Sequence, residues 1–386
     1  MRLNGVRRSS LSTRDLTAKS AKDFAKVTEV HIHLSIFNSR SCKLHHWRGI
    51  VSSVRQVANP PNPYHKYSAE YVGEPPDAKL EVFEETATRS MIVKSWSPDL
   101  GRRFVVNCYR GCVHGCTYCF ARQYHEMIGY GAGTDFETKL VAKINAPEVL
   151  RNELKKTRQK IPYLEFSFAS DPYVPIEANY ELTRRCLEVC RDFRIPVFIL
   201  TKSPLVTRDL DILKDIECTV GFSIPFLSVE TSRPFEPYVP TPEARFRAME
   251  KVAAEGIEVA LALAPVIPGY NDNEIPQILK KAKECGASRA FMSLVHFATD
   301  SIEEYFLKRL YEKLPTHADK IVNRIKEERN GRLQHRSMEE RNKGRSERWK
   351  MINDVFELHM RKLGYEKYER LEKPKAEPVQ FQQRLF

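Results

Sequence analysis

The sequence NCYRGCVHGCTYCFAR, residues 107–122, places three cysteines at the spacing C-x3-C-x2-C. They are Cys112, Cys116 and Cys119. Three thiolates on so short a loop can each bind one iron of a four-iron cluster and leave the fourth iron without a protein ligand. That open iron is a docking site for a second molecule. Cys108 lies in a strand-like segment outside this spacing, so we do not expect it to be a ligand.

Tyr118, directly before the third cysteine, completes a loop that resembles the radical S-adenosylmethionine (SAM) superfamily. The resemblance implies that SAM binds the open iron of a [4Fe-4S] cluster and is cleaved reductively to a 5′-deoxyadenosyl radical. The alternative is a zinc-binding nucleic-acid module without catalysis, in which His114 joins the three cysteines as a ligand. His114 is two residues from each flanking cysteine, which crowds a tetrahedral site.

Length and composition allow a barrel-sized domain with smaller additions. The 386 residues are 42% apolar, which is sufficient for a core. No run of about twenty apolar residues is present, so we expect no membrane span. The N-terminus lacks the apolar stretch of a secretory signal, and nine cysteines fit a reducing compartment. We therefore expect a cytoplasmic protein.

Positive charge is concentrated at two places in the chain. Residues 1–50 hold ten Lys and Arg against three Asp and Glu, and residues 320–350 hold eleven against five. The formal net charge of the chain is +12. Basic segments suit a nucleic-acid partner, and we expect the linker at residues 329–345 to contact phosphates. The alternative is ordinary solvated charge on exposed helices and a loose arm.

Strand-like and helix-like segments alternate after the cysteine loop, which is typical of a parallel sheet with crossover helices. The strand candidates are 104–106, 163–169, 197–201, 218–224, 259–266 and 290–295. The helix candidates are 180–193, 207–216, 241–255, 273–285, 302–314, 317–328 and 347–363. The pattern predicts an α/β fold, a partial (β/α)6 TIM-like barrel in which chemistry gathers at the carboxyl ends of the strands.

The predicted barrel lies between an N-terminal wrap and a C-terminal helical extension. We expect five segments: a basic, disordered extension (1–46), the wrap (47–100), the barrel (101–300), basic helices (301–370) and a flexible tail (371–386).

Further motifs make the chain similar to the spore photoproduct lyase-like, or DNA-repair-photolyase-like, group. They are DFETKLVAKIN at 135–145, SDPYVPIE at 170–177, TKS at 201–203 and APVIPGYND at 264–272. The resemblance implies that Lys202 meets the SAM carboxylate and Ser223 the ribose. It also implies that Tyr118 and the backbone of Ala264 meet the adenine. Ser170 is a further candidate for SAM binding, with helix capping as the alternative for it and for Asp171.

Two positions depart from the lyase pattern. The similarity places a hydrogen-donor cysteine at the position of Phe168 and a relay tyrosine at the position of Phe120. Phenylalanine has no S–H or O–H group to donate. We therefore expect a different hydrogen donor, and the candidates are Tyr173, Cys218 and Tyr270.

The chain ends in QQRLF, which is similar to the peptide by which repair and replication proteins dock on the DNA sliding clamp. Leu385 and Phe386 could fill an apolar pocket while Gln382 forms a hydrogen bond beside it. The alternative is that the two apolar residues fold back onto the barrel.

Together these features predict a lyase-like radical SAM enzyme that acts on a nucleic acid, with DNA repair as the expected process. It would take its electron from an external donor such as a flavodoxin or ferredoxin. The alternatives are a radical SAM enzyme acting on RNA, a peptide or a small metabolite, and the zinc module described above.

Overall fold

A computed structural model describes residues 56–65, 76–335 and 337–366 of the protein. Ten strands lie in this part of the chain: β1 (Glu81–Glu85), β2 (Val93–Ser97), β3 (Gly101–Val106), β4 (Tyr109–Arg110), β5 (Lys139–Lys143), β6 (Leu164–Phe166), β7 (Val197–Thr201), β8 (Cys218–Ser223), β9 (Glu258–Val266) and β10 (Arg289–Leu294).

Twelve α-helices lie in the same described residues: α1 (Arg122–Glu126), α2 (Thr134–Thr138), α3 (Ala146–Lys156), α4 (Glu177–Tyr180), α5 (Leu182–Phe193), α6 (Leu210–Leu213), α7 (Val229–Ser232), α8 (Pro242–Ala254), α9 (Ile275–Glu284), α10 (Asp300–Lys313), α11 (Pro315–Glu328) and α12 (Glu347–Lys362). Two 3-10 helices, Pro204–Asp209 and Asp272–Glu274, precede α6 and α9. In the described ranges, no helix combines the length and apolar character needed to cross a bilayer.

The main sheet has seven strands in the order β10-β9-β8-β7-β6-β3-β2. Six of these strands, namely β3 and β6 to β10, pair in parallel with their neighbours. The seventh, β2, pairs antiparallel with β3 at one edge of the sheet. All six were predicted from the sequence, and the curled half-barrel confirms the partial TIM-like fold. Their carboxyl ends meet at one edge, which is where a site is expected.

A second sheet of three strands, in the order β1-β5-β4, was not predicted. β1 pairs in parallel with β5, and β4 pairs antiparallel to it. The residues 81–97 therefore contribute strands to both sheets. The acidic β1 and the lysine-flanked β5 have little strand character, and their pairing joins segments far apart in the chain.

The helix α8 shows why the crossover helices form where they do. Thr241 caps it by accepting a hydrogen bond from the amide of Ala244, and Pro242 occupies the first turn. Phe246, Met249 and Val252 follow at spacings of three, and all three side chains are buried. This stripe packs α8 onto the sheet, and its removal from water stabilises the fold.

The basic linker before α12 is fastened to the barrel through two of its arginines, Arg329 and Arg341. Arg341 pairs with Asp99 through Nε–Oδ2 and Nη2–Oδ1 distances of 2.6 and 3.0 Å. Asn342 also donates to Asp99, and its carbonyl accepts from Leu294 at the end of β10. Arg329 donates to the carbonyls of Val295 and Arg341. These arginines therefore hold the linker against the strand ends.

We predict that Arg341→Ala destabilises the protein, because it leaves the buried Asp99 carboxylate without its guanidinium. The expected loss in the free energy of unfolding is about 1–3 kcal/mol, measured by denaturant unfolding. The control is Lys343→Ala, at an exposed position of the same linker, with an expected change within about 0.5 kcal/mol. Equal losses in the two variants would contradict this role for Arg341.

Candidate cluster and SAM site

The three predicted cluster ligands lie in a loop that leaves β3 and passes through β4 at the carboxyl edge of the half-barrel. Cys112 and Cys116 are buried, Cys119 is half-buried, and all three are free thiols. The amide of Cys112 donates to the carbonyl of Phe136 (2.8 Å), and that of Thr117 donates to the carbonyl of Phe235 (2.9 Å). The loop is therefore fixed at both ends by backbone hydrogen bonds.

Glycine is required at two turns of this loop. Gly111 and Gly115 have φ angles of +74° and +65°, in the left-handed region that other residues rarely adopt. A Cβ atom on Gly111 would lie 3.0 Å from the carbonyl oxygens of Lys139 and Phe136. The close approach of the loop to its neighbours leaves no room for a side chain there.

Arg122 is fully buried and binds the loop from inside, a role that the sequence analysis missed. Its Nε and Nη2 donate to the carbonyl of Cys116 at 3.1 and 2.9 Å, and its Nη2 also donates to Glu137 Oε1 at 2.7 Å. Its Nη1 donates to the carbonyls of Ala132 and Gly133. One guanidinium thus joins the second cysteine to the segment before α2.

The thiols are close enough to influence one another electrostatically. Burial raises the pKa of Cys112 well above its usual range, and Asp171, Cys116 and Cys119 raise it further. Burial raises the pKa of Cys116 to about 12, while Lys202 acts in the opposite direction. Iron binds thiolates, so cluster binding must displace the thiol protons. The neighbouring cations favour that loss because they stabilise the negative charge of the thiolates. Three free thiols on one enclosed loop with cations beside them fit the donor set of a cluster with three protein ligands.

Two observations separate other residues from this ligand set. Cys108 Sγ lies 3.7 Å from Cys186 Sγ of α5, in the core. His114 Nδ1 lies 3.6 Å from Asp171 Oδ2, so its imidazole faces a carboxylate. Across residues 56–65, 76–335 and 337–366, no three His, Cys, Asp or Glu side chains are grouped for a single metal ion. In the described ranges His114 therefore lies beside Asp171 and in no such group.

Asp171 joins the cluster loop to the ends of β6 and β7. It accepts hydrogen bonds from Thr201 Oγ1 (2.6 Å) and from the amides of Lys202 (2.8 Å) and Tyr173 (2.9 Å). The hydroxyl of the adjacent Ser170 donates to the carbonyl of Gly111 at 2.5 Å. Both side chains thus bridge loops, and neither caps the following helix α4, whose N-cap is Ile176. A SAM contact by Ser170 stays a prediction.

Lys202 lies beside a buried carboxylate that the sequence analysis did not identify. Its Nζ is 3.9 Å from Glu236 Oε1 and 5.7 Å from the centre of the Tyr118 ring. The Tyr118 hydroxyl donates to Glu236, and Arg245 Nη2 donates to Glu236 Oε2 at 2.6 Å. Burial acts to raise the pKa of Glu236, but Arg245 and Lys202 outweigh it and lower the pKa. The carboxylate is therefore charged.

The structure brings Ser223 and Ala264 together at the ends of β8 and β9. Ser223 Oγ donates to the carbonyl of Ala264 at 3.2 Å, and Arg245 Nη1 donates to the carbonyl of Ser223 at 2.7 Å. Arg245 thus links these strand ends to Glu236. Tyr118, Lys202, Ser223 and Ala264 consequently form one connected region of the carboxyl edge, as a shared ligand would require.

The three candidate hydrogen donors lie in different places. Cys218 is the first residue of β8, so it lies about 17 Å along the strand from Ser223. It is therefore at the amino ends of the strands, away from the carboxyl ends where the site lies. That position corrects the expectation that it could act at the site. Tyr173 is fully buried, and burial with nearby Asp209 and Glu177 raises its pKa. Tyr270 is half-buried, and its hydroxyl donates to the carbonyl of Thr231.

Aromatic rings occupy the two positions where the lyase pattern has hydrogen donors. The ring centres of Phe120 and Phe168 are 5.9 Å apart, and the ring of His296, which follows β10, is 5.8 Å from Phe120. His296 was not singled out in the sequence. The signal that could have identified His296 in the sequence is its position directly after the sixth predicted strand.

Gln382, Leu385 and Phe386, like the extension at 1–46, lie outside the described residues.

We predict that Arg122→Met unfolds or strongly destabilises the cluster loop. The change removes five hydrogen bonds, one of which is the ion pair with Glu137, for an expected loss of about 3–5 kcal/mol in the free energy of unfolding. Iron and sulfide content after anaerobic reconstitution should fall with it. Arg102→Met, at an exposed position of β3, is the control and should match the parent protein. Full iron loading of Arg122→Met would show that the guanidinium is dispensable.

Comparison with known proteins agrees with this geometry. The profile of the Radical SAM superfamily matches residues 106–282. An uncharacterized protein of Mycobacterium tuberculosis is 34% identical over 192 residues, which cover 48% of this chain and 56% of that protein. An uncharacterized protein of Methanocaldococcus jannaschii is 34% identical over 175 residues, covering 45% of this chain and 64% of that protein. The chain thus spans little more than half the length of such relatives.

A third relative, the radical SAM Nα-GlyT isomerase of Pseudomonas phage M6, is 23% identical over 206 residues, covering 52% of this chain and 41% of that protein. Among solved structures, a spore photoproduct lyase mutant aligns with a TM-score of 0.53 at 15% identity, covering 92% of this chain and 95% of that one. That similarity concerns the fold. Residues 106–282 therefore form a radical SAM domain.

Proposed function

We propose that this protein is a [4Fe-4S] radical SAM enzyme that acts on a nucleic acid. Cys112, Cys116 and Cys119 would hold the cluster. When bound, the cluster supplies the electron that breaks the S–C5′ bond of SAM and yields a 5′-deoxyadenosyl radical. The observation that carries the proposal is the set of three free thiols on one loop beside Lys202, within a radical SAM domain.

The residues around the thiols have distinct tasks in this proposal. Lys202 provides a cation for the SAM carboxylate, and it must exchange part of its interaction with Glu236 for that contact. Glu236 keeps the hydroxyl of Tyr118 and the guanidinium of Arg245 in place. Ser223 presents a hydroxyl to the ribose, and the backbone of Ala264 presents its edge to the adenine. The electron would come from an external donor such as a flavodoxin or ferredoxin.

Two observations support a nucleic-acid substrate. Spore photoproduct lyase has been solved in complex with dinucleoside spore photoproduct, and its fold matches most of this chain. The chain itself carries a formal net charge of +12, which favours a polyanionic partner. Because Arg341 is paired with Asp99, the interface is expected at the barrel mouth more than at the basic linker. Docking on a sliding clamp through Gln382, Leu385 and Phe386 is a separate proposal.

The first test concerns the ligand assignment. Cys112→Ala, Cys116→Ala and Cys119→Ala should each lose most of the bound iron and sulfide and all reductive cleavage of SAM. Cys108→Ala is the matched control, since its thiol packs against Cys186, and it should keep the cluster. Visible absorption, iron analysis and 5′-deoxyadenosine formation are measured anaerobically. Equal losses in all four variants would overturn the assignment.

The second test concerns Lys202. Lys202→Ala should weaken SAM binding by about tenfold or more while iron content is unchanged, because it removes a charge-assisted contact to the SAM carboxylate. Lys202→Arg keeps the charge and should bind SAM more tightly than Lys202→Ala. Equilibrium dialysis of SAM with the reconstituted protein measures both. Unchanged affinity in Lys202→Ala would remove this role.

The substrate class is tested by anaerobic turnover with deuterium-labelled DNA and RNA that carry defined lesions. Transfer of deuterium into 5′-deoxyadenosine identifies the strand that donates the hydrogen atom. Transfer from neither polymer, with SAM cleavage intact, would move the substrate to a peptide or a small metabolite.

A further inference from the structure

The backbone at Phe168 is strained in a way that points to a function for its ring. Phe168 follows β6 with a φ angle of +97°, a region that glycine adopts easily and other residues rarely do. The next amide, that of Ala169, is held by Asn107 Oδ1 at 2.8 Å. Backbone strain of this kind clusters at active sites, ligand clamps and switch regions. The ring of Phe168 is half-buried at the barrel mouth.

The ring of Phe120 lies at the centre of a group of four rings, and it contacts Phe168, His296 and Tyr124. Phe120 meets the Phe168 ring edge-on, stacks near His296 with an interplanar angle of 28°, and meets Tyr124 edge-on at 6.4 Å. All four rings are half-buried. Phe120 directly follows Cys119, so these aromatic faces lie next to the cluster loop. Together they form an aromatic patch at the mouth.

His296 supplies a polar edge within this patch. Its Nδ1 is buried and finds no hydrogen-bond partner in the part of the chain that the structure describes. Burial lowers the pKa of His296 to about 3, and His335, Arg341 and Arg329 act in the same direction. A neutral imidazole can both donate and accept a hydrogen bond, and a buried polar atom without a partner is unusual in a folded protein.

One cation contacts the patch, and two more line a neighbouring cavity. The guanidinium of Arg103, which also pairs with Glu165, is 4.4 Å from the centre of the Phe168 ring. The His335 ring is 5.3 Å from His296, and His335 also lines a cavity of about 540 Å³ together with Lys326 and Arg332. Aromatic faces combined with cations are the usual means of binding single-stranded nucleic acid, in which bases stack and phosphates pair with Lys or Arg.

We propose that Phe120, Phe168 and His296 form a stacking site for one unpaired nucleobase, with His296 as the residue that hydrogen-bonds to its edge. This inference rests on the proposed function and specifies how its substrate is held. The two positions that carry hydrogen donors in the lyase pattern would here carry the rings that position the base beside the cluster loop.

The test compares two single-stranded pentamers with equal phosphate numbers, one of thymidine and one of abasic residues, by fluorescence anisotropy. The reconstituted, anaerobic protein should bind the thymidine pentamer about tenfold more tightly. Phe120→Leu should reduce that ratio to within about twofold, whereas Phe120→Tyr should keep it. Phe168→Gly should also lose the preference without a lower Tm, because glycine accepts the backbone angle. Tyr311→Ala, at an exposed ring of α10, is the control.

The outcomes separate this inference from the proposed function. A wild-type ratio in both Phe120→Leu and Phe168→Gly would overturn the stacking site while nucleic-acid binding stands. Equal affinity of the parent protein for the two pentamers would do the same. Failure to bind either pentamer, in DNA or RNA form, would overturn the nucleic-acid substrate and this site with it. His296→Ala should lower the ratio with iron content unchanged, and an unaltered ratio would remove its proposed contact.

Discussion

The structure depends on placing positive charge beside three thiols, two of them buried and one half-buried. A thiol binds iron only after it loses its proton, and burial opposes that loss, as the raised pKa of Cys116 shows. Arg122 and Lys202 act against the effect of burial from two sides of the loop. Arg122 pairs with Glu137, and Lys202 lies beside Glu236, which it shares with Arg245, because an uncompensated charge in the interior is costly. The ion pairs around the loop are therefore part of the site.

The carboxyl edge of the half-barrel gathers the remaining functional groups. Parallel strands end at the same edge, so Lys202, Ser223 and Ala264 become neighbours although they are widely separated in sequence. Asp171 and Arg245 then lock these strand ends to one another through hydrogen bonds to backbone groups. Many polar side chains at this edge form hydrogen bonds that hold the loops in place, so fewer of them can contact a ligand.

The C-terminal extension takes part in the mouth of the barrel. Its linker is held by the pair Arg341–Asp99 and by the carbonyl of Asn342, which accepts from Leu294 of β10. This arrangement brings His335 against His296 and so against the aromatic patch. The segment that its basic composition assigned to phosphate binding thus also contributes to the barrel mouth, where Arg329 and Arg341 form internal contacts.

The sequence by itself determined the six parallel strands, their helices and the cysteine loop, because apolar periodicity, capping residues and short spacings are local signals. The family resemblance, together with predicted strand ends, pointed to Lys202, Ser223 and Ala264 as candidate SAM contacts. Only the tertiary structure decided the partners of buried charge, such as Arg122 with the Cys116 carbonyl and Glu236 with Arg245. The same holds for the sheet of β1, β4 and β5, and for the approach of His296 to Phe120. These contacts join residues distant in the chain, and no local pattern encodes which of many charged or aromatic side chains will meet.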